Sequence, residues 1–96
     1  MNEKVEVENV NHPGKTERVD RAKYEAMRAA MLAALSTGGP ALNAAELKAA
    51  ILPALPDALF PGGSTAGWWI KCVQLDLEAK GVVGREGKPL RFRRTG

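Results

Sequence analysis

One segment, residues 64–80, constrains the fold more than any other, because its apolar residues recur at helical spacing and a hairpin pattern follows it directly. When successive residues are placed 100° apart around a helix axis, five apolar side chains share one face: Ala66, Trp69, Ile70, Val73 and Leu77. A face this apolar must lie in a core. We therefore predict a third helix over this segment, capped at its start by Ser64 and ended by Gly81.

A β-hairpin pattern follows this helix. Residues 82–86 predict one strand, residues 87–88 a turn and residues 89–94 a returning strand. In the returning strand Leu90 and Phe92 alternate with arginines, which is typical of a hairpin that buries one face.

Two further helices are predicted upstream. Asp20 is expected to cap the first, over residues 21–35, because its carboxylate can accept hydrogen bonds from free amides in the next turn. Four residues at helical spacing form the inward stripe of this helix: Tyr24, Met27, Met31 and Leu35. The glycines and proline of residues 36–40 end it.

The second predicted helix begins at Asn43, and Glu46 three residues later makes the pair resemble a capping box. Its inward face is assigned to three aliphatic residues: Leu47, Ile51 and Leu55. Pro53 removes a backbone donor, so the helix should end or kink there. Residues 55–63 are expected to form a loop, with Leu59 and Phe60 against the core.

The N-terminal residues 1–19 are expected to form a polar arm, and residues 20–96 the folded domain. Val5 and Val7, with Val10 as a further candidate, lie among Glu and Asn residues and give a weak period-2 strand pattern within the arm. The sequence Asn-His-Pro-Gly at residues 11–14 indicates a turn.

Length and composition limit the class of protein. The chain has 96 residues, of which 45% are apolar, so one domain with a real core is expected. The lone Cys72 cannot form an internal disulfide, which argues against a disulfide-stabilised secreted scaffold. The first ten residues lack the apolar stretch of a signal peptide, and no apolar run is long enough to span a bilayer. We expect a soluble, cytoplasmic protein.

Charge is distributed unevenly along the chain. Residues 80–96 carry six basic side chains and one acidic side chain, whereas residues 1–79 carry eight basic and ten acidic ones. A basic C-terminal segment attracts polyanions. The alternative, favoured slightly on this feature alone, is a solvated segment that keeps the protein soluble.

Residues 77–83 (LEAKGVV) resemble the end of the recognition helix and the first wing strand of many bacterial winged-helix regulators. Together with the order of elements, this resemblance implies an α+β fold, a winged helix: a three-helix bundle with a C-terminal β-hairpin wing, preceded here by the N-terminal arm. The sequence departs from the usual pattern in the link between the second and third helices. This link, residues 55–63, is longer than the turn of about three or four residues in a typical helix-turn-helix.

The chain also resembles a family of short bacterial proteins of uncharacterised function. The resemblance is carried by four segments: 8–16 (ENVNHPGKT), 19–24 (VDRAKY), 59–63 (LFPGG) and 67–69 (GWW). It implies a winged-helix-like fold and brings no activity with it.

Double-stranded DNA is the predicted partner, and a small transcriptional regulator the predicted class. The outward side of the third helix would face a major groove through five residues: Ser64, Thr65, Gly67, Lys71 and Gln74. The hairpin would add phosphate contacts through five more: Arg85, Lys88, Arg91, Arg93 and Arg94. The alternative is that these are ordinary solvent-facing side chains.

A protein-interaction or dimerisation module of the same fold is the second hypothesis. Its interface would be the apolar flank of the third helix formed by Trp68, Cys72 and Leu75. Because adjacent helix residues point 100° apart, Trp68 and Trp69 cannot both face one core. We favour cover of Trp68 by Val5 and Val7 of the arm over a partner interface.

No constellation for catalysis or metal binding is visible. His12 is the sole histidine and is interpreted as a turn residue, and no Cys/His spacing suits a metal. A nucleophile–base pair would need Cys72, which lies mid-helix on an apolar flank. We therefore predict no enzymatic activity, no cofactor and no metal.

Overall fold

The computed structural model describes residues 3–35, 41–87 and 90–95 and has an α+β fold, with three helices and two antiparallel sheets. The strands and helices in chain order are β1 (Lys4–Glu8), β2 (Thr16–Asp20), α1 (Arg21–Ala34), β3 (Leu42–Asn43), α2 (Ala44–Ile51), α3 (Ala66–Ala79), β4 (Val83–Glu86) and β5 (Arg91–Arg94). Short 3₁₀ turns at Leu52–Ala54 and Pro61–Gly63 lie between α2 and α3.

Helix α1 begins where the sequence predicts. The Asp20 carboxylate accepts a hydrogen bond from the backbone N–H of Lys23 at 3.0 Å, which satisfies one free amide of the first turn. All four residues of the predicted stripe are buried: Tyr24, Met27, Met31 and Leu35. The stop signal at residues 36–40 lies outside the described residues.

Helix α2 carries the predicted capping box. The Asn43 side chain accepts from the backbone N–H of Glu46 at 2.8 Å, and the Glu46 carboxylate accepts from the backbone N–H of Asn43 at 3.0 Å. Leu47 and Ile51 are buried. The helix ends at Ile51 and tightens into a 3₁₀ turn, as Pro53 predicts.

Helix α3 packs against α1 and buries its apolar stripe, as the sequence predicts. Ala66, Trp69, Val73 and Leu77 are buried, and the partly buried Ile70 packs against the same core. Phe60 in the preceding link is also buried, and its ring meets the edge of Trp69 at 6.3 Å between centroids.

The predicted Ser64 cap is wrong. The N-cap residue is Thr65, whose φ of +61° is rare for a β-branched residue, and no described side chain caps the helix. The helix ends as expected, because Gly81 adopts φ +74° and lets the Val82 N–H donate to the Leu77 carbonyl at 2.9 Å.

The C-terminal hairpin forms with β4 and β5 antiparallel, as predicted. Phe92 is buried, but Leu90 precedes the strand and is 43% exposed, so its predicted inward position is wrong. An unpredicted strand, β3, pairs Leu42 with Phe92 and gives the sheet order β3-β5-β4. The hairpin is thereby tied to the link between α1 and α2.

The N-terminal segment forms a two-stranded hairpin, in which β1 pairs with an unpredicted second strand, β2. The predicted turn lies between them, with the His12 N–H donating to the Asn9 carbonyl at 2.9 Å. Val7 and Val19 are buried and join the core cluster. This hairpin, residues 4–20, is called the N-terminal hairpin below.

A buried carboxylate joins the N-terminal hairpin to the helices. Asp76 is fully buried and accepts hydrogen bonds from the backbone N–H of Glu8 at 2.8 Å and from the hydroxyl of Tyr24. The Lys80 ammonium lies 2.8 Å from the same carboxylate. Burial, together with the hydrogen bond to Asp76, raises the pKa of Tyr24 well above its usual value, so its hydroxyl remains a donor. Sequence periodicity did not predict this cluster.

We expect Asp76→Ala to destabilise the protein by about 3 kcal/mol, because a buried acceptor is lost and its donors become unpaired. The measurement is the free energy of unfolding in urea. Asp57→Ala is the matched control: its exposed carboxylate accepts one backbone hydrogen bond, from Gly62, and its loss should cost about 1 kcal/mol or less. Equal losses for the two variants would show that the Asp76 cluster does not anchor the hairpin.

Candidate functional site

The N-terminal hairpin and α3 enclose a groove of about 520 Å³. Residues 7–9, 12 and 15–17 of the hairpin form one wall, and four residues of α3 form the other: Trp68, Lys71, Cys72 and Leu75. The Asp76 cluster lies beside this groove and fixes the end of β1 against α3. A volume of this size is within the range of small-molecule sites.

Trp68 is the exposed aromatic residue of the groove. Its side chain is 54% exposed, so the predicted cover by Val5 and Val7 is wrong. The Trp68 ring lies edge-to-face with that of Trp69, with 5.1 Å between centroids and 81° between planes. Because Trp69 is itself buried, this contact holds the plane of the exposed ring.

The other two residues of the predicted interface form the floor of the groove. Leu75 is 8% exposed and Cys72 is half-buried. Burial, with the negative charges of Asp76 and Glu17, raises the pKa of the Cys72 thiol to about 11. The thiol is therefore neutral at physiological pH, and the floor of the groove is apolar.

Charged side chains of both signs surround this floor. Lys15 and Lys71 supply ammonium groups, Glu8 and Glu17 supply carboxylates, and all four residues are exposed. His12 keeps its predicted place in the turn and also lines the groove. Of these five, the sequence predicted only Lys71 as a binding residue, because the other four reach α3 through the docking of the N-terminal hairpin.

The predicted reading face of α3 is exposed only in its N-terminal half. Ser64, Thr65, Gly67 and Lys71 are exposed as expected. The expected exposure of Gln74 is wrong: it is 7% exposed, and its amide donates to the Glu78 carboxylate at 3.1 Å. A buried, hydrogen-bonded amide cannot read base edges.

Arg85 connects β4 to α3 instead of facing solvent freely. Its guanidinium donates two hydrogen bonds to Glu78, one of them at 2.8 Å, and the Glu78 side chain is only 5% exposed. Burial by itself would raise the pKa of Glu78, but hydrogen bonds from Arg85 and Gln74 outweigh it and hold that pKa below its usual value. The hydrogen bonds to Glu78 raise the pKa of Arg85 in turn. Arg85 is therefore occupied by an internal partner.

Two other arginines of the C-terminal hairpin have acidic neighbours at the surface. Arg91 lies 3.3 Å from Glu46, and Arg93 lies 3.4 Å from Glu86, with all four side chains about half exposed. Arg94 is partly buried. The remaining predicted contact, Lys88, lies outside the described residues.

Over the residues that the structure describes, these features define a small α+β protein with three helices, two antiparallel sheets and a groove between its N-terminal hairpin and α3. Residues 4–92 match the model of a protein family of unknown function, DUF6958, and the chain belongs to that family. No curated protein and no solved structure matches the chain.

The described residues include neither a membrane-spanning helix nor a cluster of metal ligands. No helix in that part of the chain is long and apolar enough to cross a membrane. Nor do three or more potential metal-binding side chains come together there.

We expect Cys72 to react slowly with iodoacetamide in the folded protein. With a pKa of about 11, the thiolate fraction at pH 8 is ~0.1%, so the rate should rise roughly tenfold per pH unit up to pH 10. Mass spectrometry measures the rate. The control is Lys48→Cys in a Cys72→Ser background, which places a thiol on an exposed site of α2. Equal rates for the two thiols at pH 8 would contradict the raised pKa.

Proposed function

We propose that this chain is a winged-helix protein that binds double-stranded DNA, with the N-terminal half of α3 in a major groove, in the manner of a small transcriptional regulator. The observation that carries the proposal is the order and pairing of the elements. Helices α1, α2 and α3 are followed by the β4–β5 hairpin, and β3 joins that hairpin in one sheet, so the hairpin has a fixed place beside α3.

The start of α3 supports a contact with phosphate. No acidic residue lies in the first turn of α3, and Thr65 provides no side-chain cap. The free backbone N–H groups of that turn therefore donate to no capping side chain among the described residues. Uncapped amides at a helix start favour an anion. Ser64, Gly67 and Lys71 are exposed around this end, where hydroxyl, backbone and ammonium groups can meet the DNA backbone.

The energetics of the ion pairs decide which hairpin arginines can turn to DNA. Surface pairs such as Arg91–Glu46 and Arg93–Glu86 contribute about 0–1 kcal/mol, so a phosphate can replace the carboxylate at little cost. Arg85 differs because its departure would leave the nearly buried Glu78 unpaired. The proposed contact set therefore keeps Arg91, Arg93 and Arg94, retains Lys88 as a prediction, and omits Arg85 together with Gln74.

We expect affinity for duplex DNA to fall steeply with salt, because the proposed contacts are mainly to phosphate. Lys71→Gln should weaken binding to every duplex by a similar factor and lower the salt slope by about 0.9. The triple change of Arg91, Arg93 and Arg94 to Gln should have a larger effect of the same kind. Fluorescence anisotropy with labelled duplexes at several salt concentrations measures both quantities.

Arg28→Gln, which removes an exposed charge from α1, is the control and should leave affinity unchanged. Absence of binding at low salt would overturn the proposal. If duplex binding survived the triple change unaltered, the hairpin would have no part in it.

A second candidate function, self-association through the groove, is favoured by the exposure of Trp68. Tryptophan is enriched at interfaces and often dominates their energy. Of the three residues predicted for such an interface, Trp68 alone is well exposed, so the contact would centre on it.

If the chain self-associates in this way, its mean mass by light scattering should rise with concentration, and Trp68→Asp should hold it monomeric. Leu90→Asp is the matched control, because Leu90 is a similarly exposed apolar residue that does not line the groove. A monomeric mass for the unaltered chain at every concentration would exclude this function.

A further inference from the structure

We propose that the groove between the N-terminal hairpin and α3 is a nucleotide-binding site, in which a nucleobase stacks on Trp68 and its phosphate lies between Lys15 and Lys71. The ligand is a single nucleotide with an amino-bearing base, either as a free monophosphate or as an unpaired nucleotide within a single strand. The inference goes beyond duplex binding and does not depend on it.

The stacking surface is already in place. Trp68 is 54% exposed, and it rests on the buried Trp69, which in turn contacts the buried Phe60. This row of three rings runs from the core to the groove and fixes the plane of the outermost ring, so little side-chain entropy remains to be lost on binding. A base stacked on such an aromatic ring gains about 1–3 kcal/mol.

Two lysines that can contact a phosphate line the groove. Lys15 approaches from the hairpin and Lys71 from α3, so ammonium groups line both walls. Within the described part of the chain, neither lysine is in a salt bridge, whereas Arg85, Arg91 and Arg93 all are. A phosphate therefore gains these two contacts without breaking an existing pair.

The carboxylates of the groove limit the choice of ligand further. Glu8 and Glu17 line the same groove as the two lysines, so the charges of the four side chains cancel. The groove therefore offers ammonium groups for one phosphate and carboxylates for hydrogen-bond donors elsewhere on the ligand. The carboxylates can accept hydrogen bonds from the amino group of adenine, cytosine or guanine. The apolar floor of Val7, Cys72 and Leu75 excludes water beneath the base.

The test is isothermal titration calorimetry of the full chain with adenosine monophosphate, adenosine, inorganic phosphate and a short single strand of deoxyadenosine. We expect the monophosphate to bind, and adenosine or phosphate alone to bind at least about tenfold more weakly, since each lacks one half of the contacts. Circular dichroism checks that every variant keeps the helical content of the parent.

Three groove variants test the base contact and the phosphate contact separately. Trp68→Ala should weaken binding of the monophosphate about tenfold or more, and Trp68→Phe, which keeps an aromatic face, should restore most of it. The double change Lys15→Gln with Lys71→Gln should weaken the monophosphate about tenfold but leave adenosine unchanged. Leu90→Ala and Lys48→Gln, at exposed positions that do not line the groove, are the controls and should bind as the parent does.

The titration with the single strand identifies the source of the nucleotide. Tighter binding of the strand indicates a nucleic acid, and tighter binding of the monophosphate indicates a free ligand. Three results would overturn the proposal. The first is that neither adenosine monophosphate nor the single strand binds, and the second is that Trp68→Ala binds the monophosphate as tightly as the parent does. The third is that inorganic phosphate binds as tightly as the monophosphate. Duplex binding is measured in a separate experiment. Failure of the nucleotide proposal therefore leaves the duplex proposal standing, and failure of the duplex proposal leaves the nucleotide proposal standing.

Discussion

The buried carboxylate of Asp76 is the interaction on which the rest of the structure depends. Burial of a carboxylate is costly unless it is paired and hydrogen-bonded. Here its partners come from three separate elements: the backbone N–H of Glu8 at the end of β1, the hydroxyl of Tyr24 on α1, and the ammonium of Lys80 at the end of α3. These contacts exist together only when the N-terminal hairpin is docked on the helices. The groove therefore has a defined wall, because without this docking α3 would face solvent along that side.

The environment of α3 follows from this arrangement. One side of the helix packs in the core, and a second side meets β4 through Gln74, Glu78 and Arg85. A third side, at Cys72 and Leu75, is occupied by the N-terminal hairpin. The exposed residues of α3 include Gly67, Trp68 and Lys71 in its N-terminal half and Ala79 at its end. A ligand or macromolecule that uses the predicted reading face of this helix therefore approaches its N-terminal half.

The sequence predicted most of the features that local physics controls, although the Ser64 cap of α3 was wrong. Helix starts at Asp20 and Asn43 depend on hydrogen bonds that span three residues, and the buried stripes depend only on helical spacing. The features that were missed all need a distant partner. Val19 is buried on β2, which pairs with β1, and the amide of Gln74 donates to Glu78, which Arg85 engages from β4. The candidate groove was missed for the same reason, since half of its wall comes from residues 7–17 and half from α3.

Contacts between distant residues also decide which basic side chains remain available to an anion. The basic side chains gathered in residues 80–96 suggested a positive hairpin. In the folded chain, Arg85 is held by a nearly buried carboxylate and Arg91 has an acidic neighbour on α2, so much of that charge is neutralised internally. Lys15 is unremarkable in sequence and Lys71 was predicted only as a contact for duplex DNA, yet the two lie on opposite walls of one groove without an ion pair among the described residues. Affinity for an anion depends on charge that is not already paired, and the two lysines of the groove satisfy that condition better than the hairpin arginines do.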